Sequence, residues 1–336
     1  MRLLQKECGK CLRHPFLWIV CITFGLFQFL SIYTYVGNAG MRKELRQMHV
    51  AVTDEETASP EYESAYADYK KTYGGMYDTL DMRKILEQKE KKSGYEPQGV
   101  WGSWIVRNYE RLQKRVEQIR KTGEGTYAFY PGNWYKLHTT LYGKLWKNLI
   151  LQTAVLMILS MLYLMDYERI YKTQDLVLAT TTGKKMMEKK MLAGTLCGLF
   201  YAGLLTVFTL LVFFAAVPFQ NLWHVPVAAC MVAEPRLQMM YPFVTFWRLE
   251  QWRYLLLALV VLVGLLGIIA AVTAAVQLFL QNSYFSFAVL GLLFMGAYLL
   301  AYVQMGNVWD LIREFFNPTV LYATSGGWVM ENDLRL

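Results

Sequence analysis

The chain has 336 residues, of which 55% are hydrophobic and 15% aromatic, with a mean hydropathy of +0.22. Soluble domains contain about 45–50% apolar residues, and here the excess is gathered in long blocks, which argues against an ordinary soluble domain. The net charge of +8, from 34 basic and 26 acidic residues, is concentrated beside those blocks and in one mixed-charge region. A membrane surface accounts for this distribution better than a nucleic acid does, so we expect no nucleic-acid partner.

The first apolar block covers residues 16–36 and contains no charged side chain. A helix of about 20 residues crosses the hydrocarbon layer of a bilayer. Four basic residues precede the block: Arg2, Lys6, Lys10 and Arg13. A signal-peptide core has only about 7–15 residues, so this block is too long and too aromatic for one. We interpret residues 1–36 as a cytosolic N-terminus followed by an uncleaved signal anchor.

Residues 37–147 form the next region, which we predict to be a mostly helical domain outside the cell. Its stretches rich in Glu, Lys, Arg and Gln favour helix. One apolar face recurs at helical spacing: Ile105, Tyr109, Leu112, Val116 and Ile119. A second stripe consists of Tyr62, Tyr66, Tyr69 and Tyr73. This stripe is either a packing surface or a face that binds a substrate or partner.

Residues 148–336 hold four more apolar blocks, which predict spans at 148–165, 191–217, 254–280 and 284–304. Only three residues separate the last two blocks, so they should form a tight helical hairpin. The apolar segment 222–233 has about a dozen residues and is interrupted by Pro226, so it is too short to span and should be interfacial or re-entrant. The predicted fold class is therefore an all-α integral membrane protein with five transmembrane helices.

The loop at residues 166–190 fixes the predicted topology. It carries six basic and four acidic residues between two apolar blocks, and basic flanks of spanning segments remain in the cytoplasm. Alternation from an inside N-terminus then places 37–147, 218–253 and 305–336 outside. We expect a multi-pass protein of the cell membrane with a cytoplasmic N-terminus.

No motif in the sequence indicates catalysis. The four histidines are scattered along the chain, and Leu178 and Lys185 stand where a phosphate-binding loop needs Gly and Ser or Thr. The predicted spans contain no Asp, Glu, Lys, Arg or His, which argues against ion-coupled transport. Cys8 and Cys11 form a CxxC pair, either incidental cytosolic thiols or a metal or redox site. We predict no enzyme activity, no metal and no cofactor in this chain.

Small residues pattern two of the predicted spans. Gly194 and Gly198 form a GxxxG motif, and Gly264, Gly267 and Ala271 lie on one side of the fourth span. Such faces allow helices to approach closely. They could pack within a single bundle or form an interface with another subunit, and the sequence leaves both alternatives open.

The loop at residues 166–190 also resembles the first cytoplasmic loop of the type-2 (exporter) ABC transporter permeases. The residues that carry the resemblance are Glu168, then Leu176, Val177 and Leu178, then Thr181, Gly183 and Lys184, and finally Lys190. An enlarged domain between the first two spans and the pair Asn317 and Pro318 after the fifth are similar to Gram-positive members.

The resemblance implies that residues 174–187 hold a coupling helix that docks on a cytosolic ATPase. Two ATPase subunits, which would bind ATP and magnesium, would then pair with two permease halves of the same or different chains. Members of this family have six spans in each half with both termini inside. We therefore expect the natural chain to continue beyond Leu336 into a sixth span.

The resemblance implies the permease subunit of an ATP-driven exporter that works by alternating access. The uncharged, aromatic spans favour an amphipathic or hydrophobic substrate such as a peptide, lipid or drug. One alternative is a mechanotransmitting or sensory subunit, in which the ATPase drives the outside domain and nothing is transported. A further alternative is a membrane scaffold that has no ATPase partner.

Overall fold

We describe the fold from a computed structural model of the chain. The structure describes residues 2–38, 75–93, 99–124, 135–173, 183–217, 222–229, 231–234, 239–242 and 244–300, together with residues 42, 67 and 219. Several predictions fall on other residues: the stripe from Tyr62 to Tyr73, most of the expected coupling helix, and the segment after Leu300. They lie outside the described residues and stay predictions.

Within the described ranges, four helices are long and apolar enough to cross a membrane. They are α2 (Pro15–Gly37), α7 (Trp146–Met165), α9 (Gly183–Ala216) and α10 (Gln251–Leu280). A fifth apolar helix, α11 (Ser283–Leu300), follows α10 after a turn in which Gln281 has a φ of 51°. These helices fit a membrane-embedded protein. The described part of α11 is shorter than the other four, so a fifth span remains a prediction.

The chain divides into two compact units, and the first contains most of the apolar helices. It comprises Met1–Thr34, Leu145–Phe213 and Leu259–Ala297. Helix α1 (Arg2–Leu12) turns directly into α2, and the Trp18 indole Nε1 donates a hydrogen bond to the Leu12 carbonyl at 2.7 Å across this corner. Helix α7 is the most buried of these helices. In an apolar stretch of 18 residues, 67% of the α7 positions are buried, compared with 28% in α2 and 33% in α9. It is the central helix of this unit.

The second unit comprises Tyr35–Lys144, Phe214–Ala258 and Tyr298–Leu336. It includes α3 (Met76–Thr79), α4 (Met82–Ser93), α5 (Gly99–Thr122) and α6 (Tyr135–Thr140), which a five-residue π-helix, Leu141–Leu145, connects to α7. The apolar face predicted on α5 forms its core, because all five residues at that spacing are at most 1% exposed. The helical periodicity of this region is thus confirmed.

Two arginines of α5 hold the second unit together. Arg120 donates hydrogen bonds to the carbonyl oxygens of Tyr77, Asp78 and Leu80 at 2.6–2.8 Å, which fixes α3 to the end of α5. Arg115 forms a buried ion pair with Glu124 at 2.5 Å. Buried charges of this kind are tolerated because they are paired.

The apolar segment 222–233 forms no spanning helix among its described residues. It contains a short 3₁₀ turn, Val227–Ala229, and then strand β1 (Met231–Glu234), which pairs antiparallel with β2 (Met239–Pro242). In this ladder Met231 lies opposite Pro242 and Glu234 opposite Met239. The predicted helical class is confirmed for most of the described residues. The prediction did not include this one two-stranded hairpin, in which interstrand hydrogen bonds pair the backbone polar groups.

Candidate functional site

The candidate site is the base of the loop at residues 166–190, within the first unit. Helix α7 ends at Met165, and the one-turn helix α8 (Tyr167–Ile170) follows at once. Lys172 then takes a left-handed conformation with φ of 54°, and the Thr173 amide donates back to the Glu168 carbonyl at 2.8 Å. The chain therefore makes a compact turn that presents the Glu168 side chain to the bundle.

Glu168 lies at the centre of a cluster of four charged side chains, which we call the ion cluster; three of them are buried, and the Lys10 side chain is 26% exposed. Its Oε1 lies 3.2 Å from Lys10 Nζ, and its Oε2 forms an ion pair with Lys190. Lys10 also pairs with Glu7 Oε1 at 2.7 Å. Glu7, Glu168 and Lys190 are 1%, 7% and 4% exposed.

The ion cluster is balanced, with two carboxylates against two ammonium groups. Removing one partner of a buried pair leaves an uncompensated charge and costs about 3–5 kcal/mol. Its members come from α1, α8 and the first turns of α9. It therefore ties both ends of the loop to each other and to the N-terminal helix.

Asp166 links the same turn to the hairpin between α10 and α11. Its Oδ2 accepts a hydrogen bond from Ser283 Oγ at 2.8 Å and from the Ser283 backbone amide at 3.4 Å. Asp166 is 8% exposed, so both contacts form largely away from water. Asn282 caps the start of α11, because its Oδ1 accepts from the amides of Tyr284 and Phe285 at 3.0 and 3.2 Å.

The other residues that the resemblance assigned to ATPase coupling fall largely outside the described part. Leu176, Val177, Leu178 and Thr181 lie there. Gly183 and Lys184 open helix α9, seven and six residues before Lys190. The structure thus places Glu168 and Lys190 in one cluster. Gly183 and Lys184 lie at the start of the same helix as Lys190.

The predicted packing glycines behave differently on the two helices. A Cβ built on Gly194 would lie 2.7 Å from Met161 Sδ, and one on Gly198 would lie 2.5 Å from Met157 Sδ and 3.1 Å from its Cα. These two glycines therefore let α9 approach α7 closely. Gly264 and Gly267 on α10 have nothing within 4 Å of a built Cβ among the described atoms, and Ala271 is exposed.

Three cysteines lie together beside the ion cluster. The Cys197 thiol on α9 contacts the thiols of Cys8 and Cys11 on α1. Burial raises the pKa of the Cys8 thiol to about 11, so this thiol is protonated at neutral pH and is a poor nucleophile and metal ligand. Across the described ranges, no three His, Cys, Asp or Glu side chains form a group that could hold a metal ion.

Sequence reasoning missed the contributions of Glu7, Lys10 and Ser283. Lys10 was interpreted only as a basic flank of the first span. The spacing of Glu7 and Lys10 by three residues on a helix indicates a pair and could have drawn attention to them. Nothing local marks Ser283, which lies 117 positions from Asp166. Comparisons with known protein families, curated proteins and solved structures found no match to this chain.

Proposed function

We propose that this chain is the permease subunit of an ATP-driven exporter of the type-2 ABC class. The observation that carries the proposal is the ion cluster, which locks the two ends of the loop together. In such an exporter, a separate ATPase would bind the loop between Thr173 and Gly183 and move it. Because Glu168 is tied to Lys190 and Lys10, that movement would reach α1, α7 and α9 at the same time.

The hydrogen bond between Asp166 and Ser283 extends this connection to the last two helices. Ser283 begins α11 directly after the turn that ends α10. A displacement of α8 would therefore also act on that hairpin. Tight local coupling of this kind suits a mechanism of alternating access, in which packed helices move as rigid elements.

The arrangement of the helix ends supports a cytoplasmic N-terminus in the cell membrane. Helix α1, the base of the loop and the turn at residues 281–283 meet at one end of the first unit. The basic flanks predict the N-terminus and the loop to be inside, and alternation of the spans predicts the same side for residues 281–283. The topology proposed for the described helices is therefore self-consistent, with residues 37–147 outside.

A second permease half is part of the proposal. Helices α2, α9 and α10 expose large apolar side chains, among them Ile19 at 61%, Val207 at 56% and Ile268 at 62%. The open face at Gly264 and Gly267 would let another helix approach α10 closely. Substrates would be amphipathic or hydrophobic, as the uncharged spans favour.

Affinity purification of the full chain in mild detergent tests this function. An ATP-hydrolysing subunit should copurify, and Leu176→Asp with Leu178→Asp should release it, since a charge buried in a docking groove is costly. Val100→Asp, at a position 84% exposed on α5, is the matched control and should retain the partner.

Two results would reject parts of this proposal. If no ATPase copurifies with the wild-type chain, the chain is not an ABC subunit and the scaffold alternative gains support. If the ATPase is retained by the double variant, the docking segment is wrong. Reconstituted vesicles that hydrolyse ATP without moving any lipid, peptide or drug probe would instead favour the mechanotransmitting alternative.

A further inference from the structure

An open cavity of about 700 Å³ lies between α1 and the end of α7, and we call it the tyrosine–lysine pocket. One wall carries Lys6, Lys10 and Arg13, and the other carries Tyr163, Tyr167 and Tyr171. All of these residues belong to the first unit. The pocket shares Lys10 and Tyr167 with the elements around the ion cluster, but the inference drawn below does not require an ATPase partner.

The tyrosines form a continuous aromatic wall. Their ring centroids are 5.8 Å apart between Tyr163 and Tyr167 and 4.5 Å apart between Tyr167 and Tyr171. His14 extends the wall, with its ring centroid 4.2 Å from that of Tyr163. Lys10 Nζ lies 4.5 Å from the centre of the Tyr167 ring, a favourable cation–π geometry. The wall therefore already holds one cation in place.

The pocket carries an excess of positive charge. No Asp or Glu lines it, and although Lys10 is shared with Glu7 and Glu168, Lys6 and Arg13 form no ion pair with any described residue. His14 Nδ1 is buried and has no hydrogen-bond partner within the described part of the chain. Basic side chains that line one pocket in this way suit a phosphate group.

The pocket also lies where a lipid headgroup would be. It is at the corner where α1 turns into the apolar helix α2, so it is at the depth of the membrane interface if α2 spans. Directly beside it, α2 presents Phe16 and Ile19, which are 49% and 61% exposed. An anionic phospholipid would therefore place its headgroup against the basic residues of the pocket and its acyl chains against the apolar surface of α2.

We propose that the tyrosine–lysine pocket binds the phosphodiester headgroup of an anionic phospholipid, with Lys6 and Arg13 contacting the phosphate and the acyl chains lying along α2. A bound lipid of this kind would hold α1 at the membrane surface. A free phosphate ion has the same charged group but would make no use of the apolar surface at Phe16 and Ile19.

Lipid titration of the purified full chain in neutral detergent tests the proposal. Three probes are compared: phosphatidylglycerol, phosphatidylcholine with the same acyl chains, and inorganic phosphate. Thermal stability and native mass spectrometry measure binding. Phosphatidylglycerol should bind and raise the melting temperature, whereas phosphatidylcholine and inorganic phosphate should not.

Substitutions in the pocket test whether phosphatidylglycerol binds there. Lys6→Ala with Arg13→Ala should weaken phosphatidylglycerol binding about thirtyfold, since each basic residue near an anionic headgroup contributes about fivefold. Both side chains are exposed, so the fold should be retained, and Lys6→Arg with Arg13→Lys should keep the affinity. Arg107→Ala with Lys121→Ala removes the same charge from exposed positions of α5 and should bind like the wild type.

Three results would overturn the proposal. Equal loss of binding in both alanine pairs would show a general charge effect. Equal stabilisation by inorganic phosphate would show an anion site that does not recognise lipid. Equal binding of phosphatidylcholine would show that the positive charge of the pocket does not select anionic lipids over zwitterionic ones.

Discussion

Ser283 Oγ donates a hydrogen bond to Asp166 Oδ2 at 2.8 Å, although the two residues are 117 positions apart in the chain. The contact joins the end of α7 to the start of α11 and lies beside the ion cluster around Glu168. The ion cluster and the contact between Asp166 and Ser283 therefore lie at the same end of the first unit.

The contact between Asp166 and Ser283 should be measurable in a double-mutant cycle. With Asp166→Ala and Ser283→Ala, we expect a coupling energy of about 1.5–3 kcal/mol, the range for a hydrogen bond to a charged group. Denaturation in mixed detergent micelles gives the four free energies of unfolding. Ser31→Ala is the control, because among the described residues its hydroxyl bonds only to the Phe27 carbonyl of its own helix; a cycle of Asp166→Ala with Ser31→Ala should give no coupling.

Removing the positive charge of Lys190 should destabilise the chain strongly. Lys190→Met leaves Glu168 with Lys10 as its partner and makes the cluster net negative, and breaking a buried pair costs about 3–5 kcal/mol. Lys190→Met with Glu168→Met should be less destabilised than Lys190→Met alone. Lys189→Met, at the exposed neighbouring position, should change the free energy of unfolding little, and an equal loss there would contradict a specific role of the cluster.

The glycines of α9 and α10 should respond in opposite directions to the same substitution. Gly198→Ala forces a methyl group against Met157, and overpacking of this kind costs about 1–3 kcal/mol. Gly264→Ala meets nothing within the described structure and should stabilise the helix by about 0.5–1 kcal/mol. Thermal unfolding of both variants in detergent checks this, and a destabilising Gly264→Ala would instead point to a close contact with another subunit.

His138 should make the stability fall below neutral pH. Burial lowers the pKa of His138 to about 4, although Gln251, which faces its Nδ1 at 3.2 Å, raises the pKa slightly. The unfolded chain binds a proton near pH 6.5, whereas the folded chain does so only near pH 4. The contribution of this group is therefore complete above pH 6.5 and is lost as the pH falls toward 4.

Unfolding curves at pH 7 and pH 5 test this expectation. His138→Gln should reduce the difference between the two free energies of unfolding. His224→Asn is the comparison variant: the His224 side chain is 87% exposed and pairs with Glu250 at 3.5 Å, and because exposed ion pairs contribute little, its loss should change the difference far less than His138→Gln does. An unchanged difference in His138→Gln would show that other groups cause the pH dependence.

The predicted topology can be tested by labelling intact cells. In a chain without native cysteines, Ser93→Cys should react with an impermeant thiol reagent and Thr181→Cys should not, because residues 166–190 should be inside. Permeabilised cells are the control and should label both. The opposite pattern would invert the topology and with it the assignment of the loop to a cytoplasmic partner.

The sequence alone determined the long apolar helices and the apolar face of α5. Long uncharged blocks predicted α2, α7, α9 and α10 because a bilayer requires about 20 apolar residues in a helix. The spacing of the apolar residues on α5 predicted the core of the second unit, since side chains three and four apart share a face. These features depend on local periodicity, which a sequence displays directly.

Only the tertiary structure decided which distant residues meet. The ion cluster joins Lys10, Glu168 and Lys190, and Asp166 finds Ser283, although no local pattern connects these positions. The structure also separated Gly194 and Gly198, which pack on α7, from Gly264 and Gly267, which have no described atom within 4 Å of a built Cβ. The physical reason is that buried charges and small residues gain their roles from partners on other helices, and the choice of partner depends on how the helices pack.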